Sequence, residues 1–321
     1  MTKAAGLVVL TVFLAGFGPW TSELGQKNQL VGKVFDGREF VSKDRLIDRI
    51  ASTPYVLLGE VHDNPDHHRL QARMIRAMVD AGRRPAVVLE MLPRSVQSEI
   101  DGYLANEGAN AAGFGAALDW EKRGWPDWTM YQPILEVVLS AGLKVFAGNL
   151  PKQKTREIAK QGYEALDGQF AWKAWGLDKP LPTSLQKRLN TTLQEGHCNM
   201  LPQTALPAMR KVQRVRDASM ADALLAAGAQ SGDGAVLIAG GGHVRSDFAV
   251  PFYLKQRGAG SQWVSVQFTP VHGDSFDPLN FIRKNAEADG HVIYVFTPSA
   301  DDIDHCVELR KRFGKTKPKG G

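Results

Sequence analysis

Four short apolar runs, each ending in a polar or glycine-rich turn, constrain this chain more than any other feature. They are Tyr55–Leu58, Ala86–Leu89, Lys144–Ala147 and Ala235–Ala239. Their β-branched content and bounding turn formers mark them as strands. Helical periodicity fills the intervals. Leu70, Met74, Ala77 and Ala81 share one side of a stretch over Asp66–Ala81, and a second stretch over Pro133–Ala141 ends at Gly142. Strand, helix, strand, helix, strand is the order of βαβ units on a parallel sheet. The expected fold class is therefore α/β, a mainly parallel sheet with flanking helices. Residues 152–230 break the rhythm and read as a helical insertion before the fourth strand, with Trp172, Trp175, Pro180, Pro182 and Pro202 marking turns. Two later runs, Trp263–Phe268 and Val292–Phe296, fit either edge strands of the same sheet or a small module of their own. A single domain over 35–300 holds these elements, followed by a C-terminal helix and basic tail over 301–321.

Composition removes several classes of protein. With 43% hydrophobic and 23% charged residues, the 321-residue chain is neither fibrous nor disordered. Two cysteines, Cys198 and Cys306, supply neither a disulfide scaffold nor a four-cysteine zinc site. The net charge of +5 is concentrated at one end. Arg310, Lys311, Arg312, Lys315, Lys317 and Lys319 stand in the last twelve residues with no acid, which leaves residues 1–309 with 33 basic and 34 acidic side chains. Nucleic-acid binding calls for a basic folded face, so it is not expected here. The tail fits a solvated terminus or a weak contact with an anionic membrane surface.

The amino terminus reads as an export signal over residues 1–22. Lys3 precedes an apolar run from Ala4 to Phe17, shorter than the ~20 residues of a membrane-spanning helix. Leu14-Ala15-Gly16 resembles the start of a lipoprotein box, but Phe17 stands where the lipidated cysteine belongs. The expected location is outside the cytoplasm, periplasmic or membrane-associated, without lipidation at Phe17. In such a compartment Cys198 and Cys306 are free to pair, although two cysteines do not establish that they do.

Polar residues directly after the strands carry the chemistry. Gly59-Glu60-Val61-His62-Asp63-Asn64 follows the first, Glu90 the second, Gly148-Asn149 the third and Gly240-Gly241-Gly242-His243 the fourth. In an open α/β sheet these positions line the crevice outside the carboxyl ends of the strands. Glu60 and His62 sit two apart, which in extended chain puts both on one face. A carboxylate beside an imidazole suits metal ligation, or a base held in one tautomer. Glu60, His62, Glu90 and His243 are thus the candidate metal ligands, and the candidate catalytic group if the protein is a hydrolase. No Walker motif or G-x-G-x-x-G is present, so nucleotide binding is discounted. His67 and His68 open the first helix, either reaching the crevice or solvated in the first turn.

Arg216 lies within about 20–40° of the centre of an apolar helical stripe formed by Met209, Val212, Met220, Ala223 and Ala227. A guanidinium there needs a partner, as a structural ion pair, a snorkelling side chain or an anion anchor. Asp217 flanks the stripe and is placed to act on Arg216's partner only indirectly. His197-Cys198 occupies a loop and is either a haem or metal contact or a capped turn. Trp120, Trp125, Trp128 and Tyr131 form an aromatic cluster that covers a core or lines a flat apolar site.

Several of these segments together resemble the ChaN-like haem-binding family. They are Leu58–Pro65 with His67-His68, Leu89-Glu90-Met91, Trp125-Pro126 with Tyr131-Gln132-Pro133, His197-Cys198 with Leu201-Pro202, Arg216-Asp217 with Met220-Ala221, and Gly240–His243. The likeness spans roughly residues 37–255. It implies a bacterial, exported or outer-membrane-associated protein that binds haem in iron acquisition or handling. It also implies a wider superfamily with the Tiki metalloproteases and erythromycin esterases, which share the paired G-x-x-H of Gly59–His62 and Gly240–His243. Family members are often lipoproteins, and Phe17 departs from that. The expected cofactor is haem, with His62, Tyr131, His197, Arg216 and His243 as candidate contacts. The alternative is a metal-dependent hydrolase with zinc or manganese. Expected partners are haem itself and, in addition, an outer-membrane haem receptor or a second copy of the chain.

Overall fold

A computed structural model describes residues 17–282, 290–301 and 305–314. Two short strands, β1 (Val34–Phe35) and β2 (Phe40–Val41), form a hairpin before helix α1 (Lys43–Ser52). Strand β3 (Tyr55–Glu60) leads into α2 (Pro65–Asp80), and β4 (Ala86–Pro93) into α3 (Gln97–Leu104), α4 (Ala111–Ala117) and α5 (Trp128–Ser140). After β5 (Val145–Asn149) come α6 (Lys152–Gln161), α7 (Thr183–Gly196) and α8 (Leu206–Ser231). Strand β6 (Ala235–Gly240), α9 (Val250–Leu254), β7 (Trp263–Val271), β8 (Val292–Pro298) and α10 (His305–Gly314) complete the order.

All eight strands among the described residues belong to one sheet, ordered β2-β1-β8-β7-β3-β6-β4-β5. Pairings from β8 to β5 are parallel, and the β1–β2 hairpin closes the β8 edge antiparallel. Parallel strands covered on both faces need apolar side chains at every position, and β6 is buried from end to end. Alternation then divides each strand between two cores. Val56, Leu58, Val87, Leu89, Val236 and Ile238 face α1, α2 and α5. Leu57, Val88, Leu237 and Trp263 face α6, α8 and α9. The 26-residue α8 lies on the sheet through small residues, Ala218, Ala221, Ala223 and Ala227, all buried.

Three boundaries differ from expectation. β7 is an inner strand between β3 and β8 rather than an edge strand or a separate module, and most of its residues are buried. Helix α5 begins five residues before Pro133, because the Asp127 carboxylate accepts from Thr129 N–H at 2.8 Å and caps the start there. Pro133 then forfeits one backbone hydrogen bond inside the helix. At the amino terminus, residues 1–16 of the expected leader and Leu14-Ala15-Gly16 lie outside the described residues. The backbone amides of Thr21 and Ser22 both donate to the buried Asp66 carboxylate at 2.9 Å, so this part of the 1–22 segment is docked on α2. The last residues of the basic tail, 315–321, also lie outside the described residues.

Candidate functional site

The two Gly-x-x-His turns meet because β3 and β6 pair in register, Gly59 opposite Ala239 and Glu60 opposite Gly240. Gly241 N–H donates to Glu60 O at 2.8 Å and ties the turns together. Close approach requires glycine twice. A Cβ on Gly59 would stand 2.3 Å from Val244 Cγ2, and one on Gly240 would stand 3.0 Å from the His62 ring. Each turn delivers an imidazole beside a carboxylate, but the two surroundings are unlike.

In the first pair, Glu60 Oε1 lies 2.6 Å from His62 Nδ1, and the Tyr131 hydroxyl stands 3.4 Å from both Glu60 Oε1 and His62 O. Glu60 is fully buried, and its Oε2 has no hydrogen-bond partner. The carboxylate accepts a hydrogen bond from Nδ1–H, so the neutral ring keeps its lone pair on Nε2. His62 is 36% exposed at the side chain, and its ring packs edge-on against Trp125 at 4.9 Å. Trp125 is itself fixed by Nε1 donating to Met91 O at 2.9 Å. Burial works against a charge on His62, but the Glu60 hydrogen bond and the charges of Glu60 and Glu90 outweigh it and raise its pKa.

In the second pair, both ring nitrogens of His243 are occupied. Nδ1 lies 2.5 Å from Asp217 Oδ1 and Nε2 lies 3.2 Å from Glu90 Oε1. Burial opposes a charge here too, yet the two carboxylates push His243 up to about 9, so it is a buried imidazolium. Glu90 leaves β4 where its pairing with β6 ends. It accepts from Gly240 N–H at 2.7 Å and from Arg216 Nη2 at 2.5 Å. Burial would raise its pKa, but His243, Arg216 and His62 hold it well below the usual carboxylate range. Asp217 is raised by burial, a shift that His243 and Arg216 only partly offset.

The structure thus sorts the expected residues. Glu60, His62 and His243 line one open crevice of about 460 Å³, and His197 joins them from the end of α7. His197 Nδ1 donates to Leu193 O at 2.7 Å, which again leaves Nε2 with the lone pair. Arg216 takes the ion-pair alternative, with Glu90. Tyr131 is 2% exposed, and burial with the Glu60 and Glu90 charges keeps its hydroxyl protonated far beyond the usual range. Its phenol therefore supports Glu60 from behind the crevice. The residues expected to hold a metal, Glu60, His62, Glu90 and His243, do come together, but most of their donor atoms turn to protein partners rather than to a shared point. Among the described residues no group of three or more His, Cys, Asp or Glu is arranged to hold a metal ion.

His67 and His68 take neither expected position. Both are buried beneath the first turn. His67 Nδ1 accepts from Val61 N–H at 2.9 Å and Nε2 meets Thr297 Oγ1 at 2.9 Å, while His68 Nε2 donates to His62 O at 2.9 Å. Burial, with the neighbouring His68, holds the His67 pKa well below its ordinary value. Asp217 binds His243 directly and reaches Arg216's partner, Glu90, only through that ring. Gln213 was not foreseen: it lines the crevice, with its amide 3.2 Å from His243 Nδ1. It stands one helical turn before Asp217, and that i, i+4 spacing was its only signal. The aromatic cluster divides: Trp120, Trp128 and Tyr131 pack as core, and Trp125 edges His62.

A family model described as haem-binding uptake, Tiki superfamily, ChaN, matches residues 46–254, more than half of the chain. No curated protein matches significantly. Among solved structures the fold is similar to that described as cofacial haem binding to ChaN of Campylobacter jejuni. That match has 20% identity and a TM-score of 0.62, over 81% of this chain and 95% of that one. More distant matches are the type III effector HopBA1, at 15% identity and a TM-score of 0.43 over 80% and 93% of the two chains, and erythromycin esterase EreC in its open conformation. The latter has 15% identity and a TM-score of 0.38, over 74% and 77%. At 20% identity the likeness to the Campylobacter structure speaks for the fold alone.

Proposed function

We propose, from the premise that this chain belongs to the ChaN-like haem-binding uptake family of the Tiki superfamily, that it binds haem in the crevice beyond β3 and β6 and serves haem or iron acquisition or handling. One observation carries the placement: His62 and His197 enter the same crevice, each with Nδ1 committed as a donor and Nε2 left as a ligand atom. Iron-ligating imidazoles are held in this way, by a carboxylate or a backbone carbonyl on the other nitrogen. The open crevice, with Pro126, Leu189, Leu193 and Phe248 in its wall, suits a flat apolar ring system. His243 is a poorer iron ligand because both its nitrogens are occupied, and Arg216 is a poorer propionate anchor because Glu90 holds it.

The hydrolase alternative draws on the Glu60–His62 pair, which could orient a base. It is the weaker reading, because both His243 nitrogens are engaged by carboxylates and the donor atoms of the four polar residues do not point at one shared position among the described residues. An extracytoplasmic location is part of the proposal. It is supported by the Cys198–Cys306 disulfide, which persists in oxidising compartments. No described helix is long and apolar enough to cross a membrane.

The test is a haemin titration of the purified protein followed at the Soret band, with the metal content of the same sample measured. A saturable, shifted band is expected. No saturable change, together with stoichiometric zinc or manganese, would replace haem binding with the hydrolase.

A further inference from the structure

The disulfide also sets the geometry of the crevice rim. Cys198 and Cys306, 108 residues apart, are joined with their Cα atoms 5.4 Å from each other. One end belongs to the crevice: Leu189, Thr192, Leu193, Gly196 and His197 of α7 and its cap line it, and Cys198 is the next residue. There the chain reverses through left-handed backbone at Cys198 and Asn199, φ 56° and 57°. The reversal is pinned by Asn199 N–H donating to Gln194 O at 2.8 Å and by Gln194 Nε2 donating to Leu201 O at 2.9 Å. The other end belongs to α10, the start of the basic terminus.

The charges on the two sides are complementary to one kind of ligand. Among the described residues lining the crevice are Glu60 and Asp63 but no lysine or arginine. The one charged imidazole of this lining, His243, is engaged by Glu90 and Asp217, so a ligand with carboxylates needs a further cation. On α10 the exposed Arg310 stands four residues after Cys306. That spacing puts both on one helix face, about 6 Å apart along the axis. With 5.4 Å across the disulfide and about 6 Å along the helix, the Arg310 backbone lies within about 12 Å of Cys198, a span that an extended guanidinium shortens toward the rim beside His197.

We propose that the Cys198–Cys306 disulfide fixes α10 as the cationic rim of the crevice, where Arg310 recognises the carboxylates of an anionic ligand. The inference rests on the haem reading, in which those groups are the propionates.

Haemin and its dimethyl ester, in which the propionate charges are masked, separate the possibilities. Each is titrated into the full-length parent, Arg310→Gln, and the double variant Cys198→Ser/Cys306→Ser, with circular dichroism to confirm folding. Arg310→Gln is expected to weaken haemin roughly three-fold, the scale of an exposed ion pair, and to leave the ester unchanged. Freeing the whole rim in the double variant is expected to weaken haemin roughly ten-fold through lost preorganisation, again sparing the ester. Added salt should narrow the gap between parent and Arg310→Gln. Haemin binding equal in all three proteins would overturn the proposal, and so would parallel losses for haemin and ester. A parent that takes up neither compound would instead overturn the haem reading beneath it.

Discussion

The turns Gly59–His62 and Gly240–His243 share one sequence pattern and perform opposite tasks. His62 is half exposed, keeps one nitrogen uncommitted and borders open space. His243 is buried, gives both nitrogens to carboxylates and balances the charge of Glu90 and Asp217. The difference comes from what stands opposite each ring. β3 ends against α5, which offers a neutral phenol, whereas β6 ends against α8, which offers Asp217 and Arg216. Repetition of a motif does not repeat its chemistry when the facing helices differ.

That contrast breaks most visibly in stability. His243→Ala leaves Glu90 and Asp217 buried without their shared cation and is expected to cost about 3–5 kcal/mol in denaturant unfolding. His62→Ala lets water replace a half-exposed ring and is expected to cost about 1 kcal/mol. Equal losses would show that the two pairs are equivalent after all. The glycines sharpen the same point. Gly59→Ala pushes a methyl into Val244 inside the core and should cost about 1–3 kcal/mol. Gly240→Ala presses chiefly on the His62 ring, which can swing outward, so it should change haemin binding more than the melting temperature.

Acid and base titrate different parts of this arrangement. Buried His67 is neutral when folded and takes up a proton on unfolding, so its contribution to stability is lost as pH falls below about 6.5. His243 has the opposite sign: its contribution is full below about 6.5 and disappears as pH rises toward about 9. His62, also raised, adds to that alkaline limb. Thermal melts across pH should therefore peak near neutrality. His67→Gln should flatten the acid limb between about pH 6.5 and 4.5, before Glu90 begins to titrate in the unfolded chain; the share of the slope that His67 supplies is at most about 1.4 kcal/mol per pH unit. An unchanged acid limb in that variant would remove His67 as its cause.

The sequence showed the inner strands well because burial on both faces leaves an unbroken apolar run, as in Ala235–Ala239. It could not rank them across the sheet, so β7 looked like an edge strand or a separate module although it lies beside β3. Order is decided by crossovers, which leave no local pattern. Glu60, His62, Glu90 and His243 were legible because a polar group directly after a buried strand has few places to point. Their partners were not. Periodicity placed Arg216 on the apolar face of α8, but Glu90 is 126 residues away and nothing local connects them. His67 and His68 looked like crevice or solvated residues at a helix start, because the sequence does not show that β8 covers His67 through Thr297 or that Tyr131 covers His68.

The central claim is that two imidazoles, His62 and His197, present Nε2 to one haem site while His243 serves the fold. Soret spectra of haemin-saturated parent, His62→Ala and His197→Ala, recorded with full titrations, test it most directly. A saturable parent spectrum that shifts or weakens in one or both variants is predicted. A parent spectrum reproduced with the same affinity by both variants would contradict it.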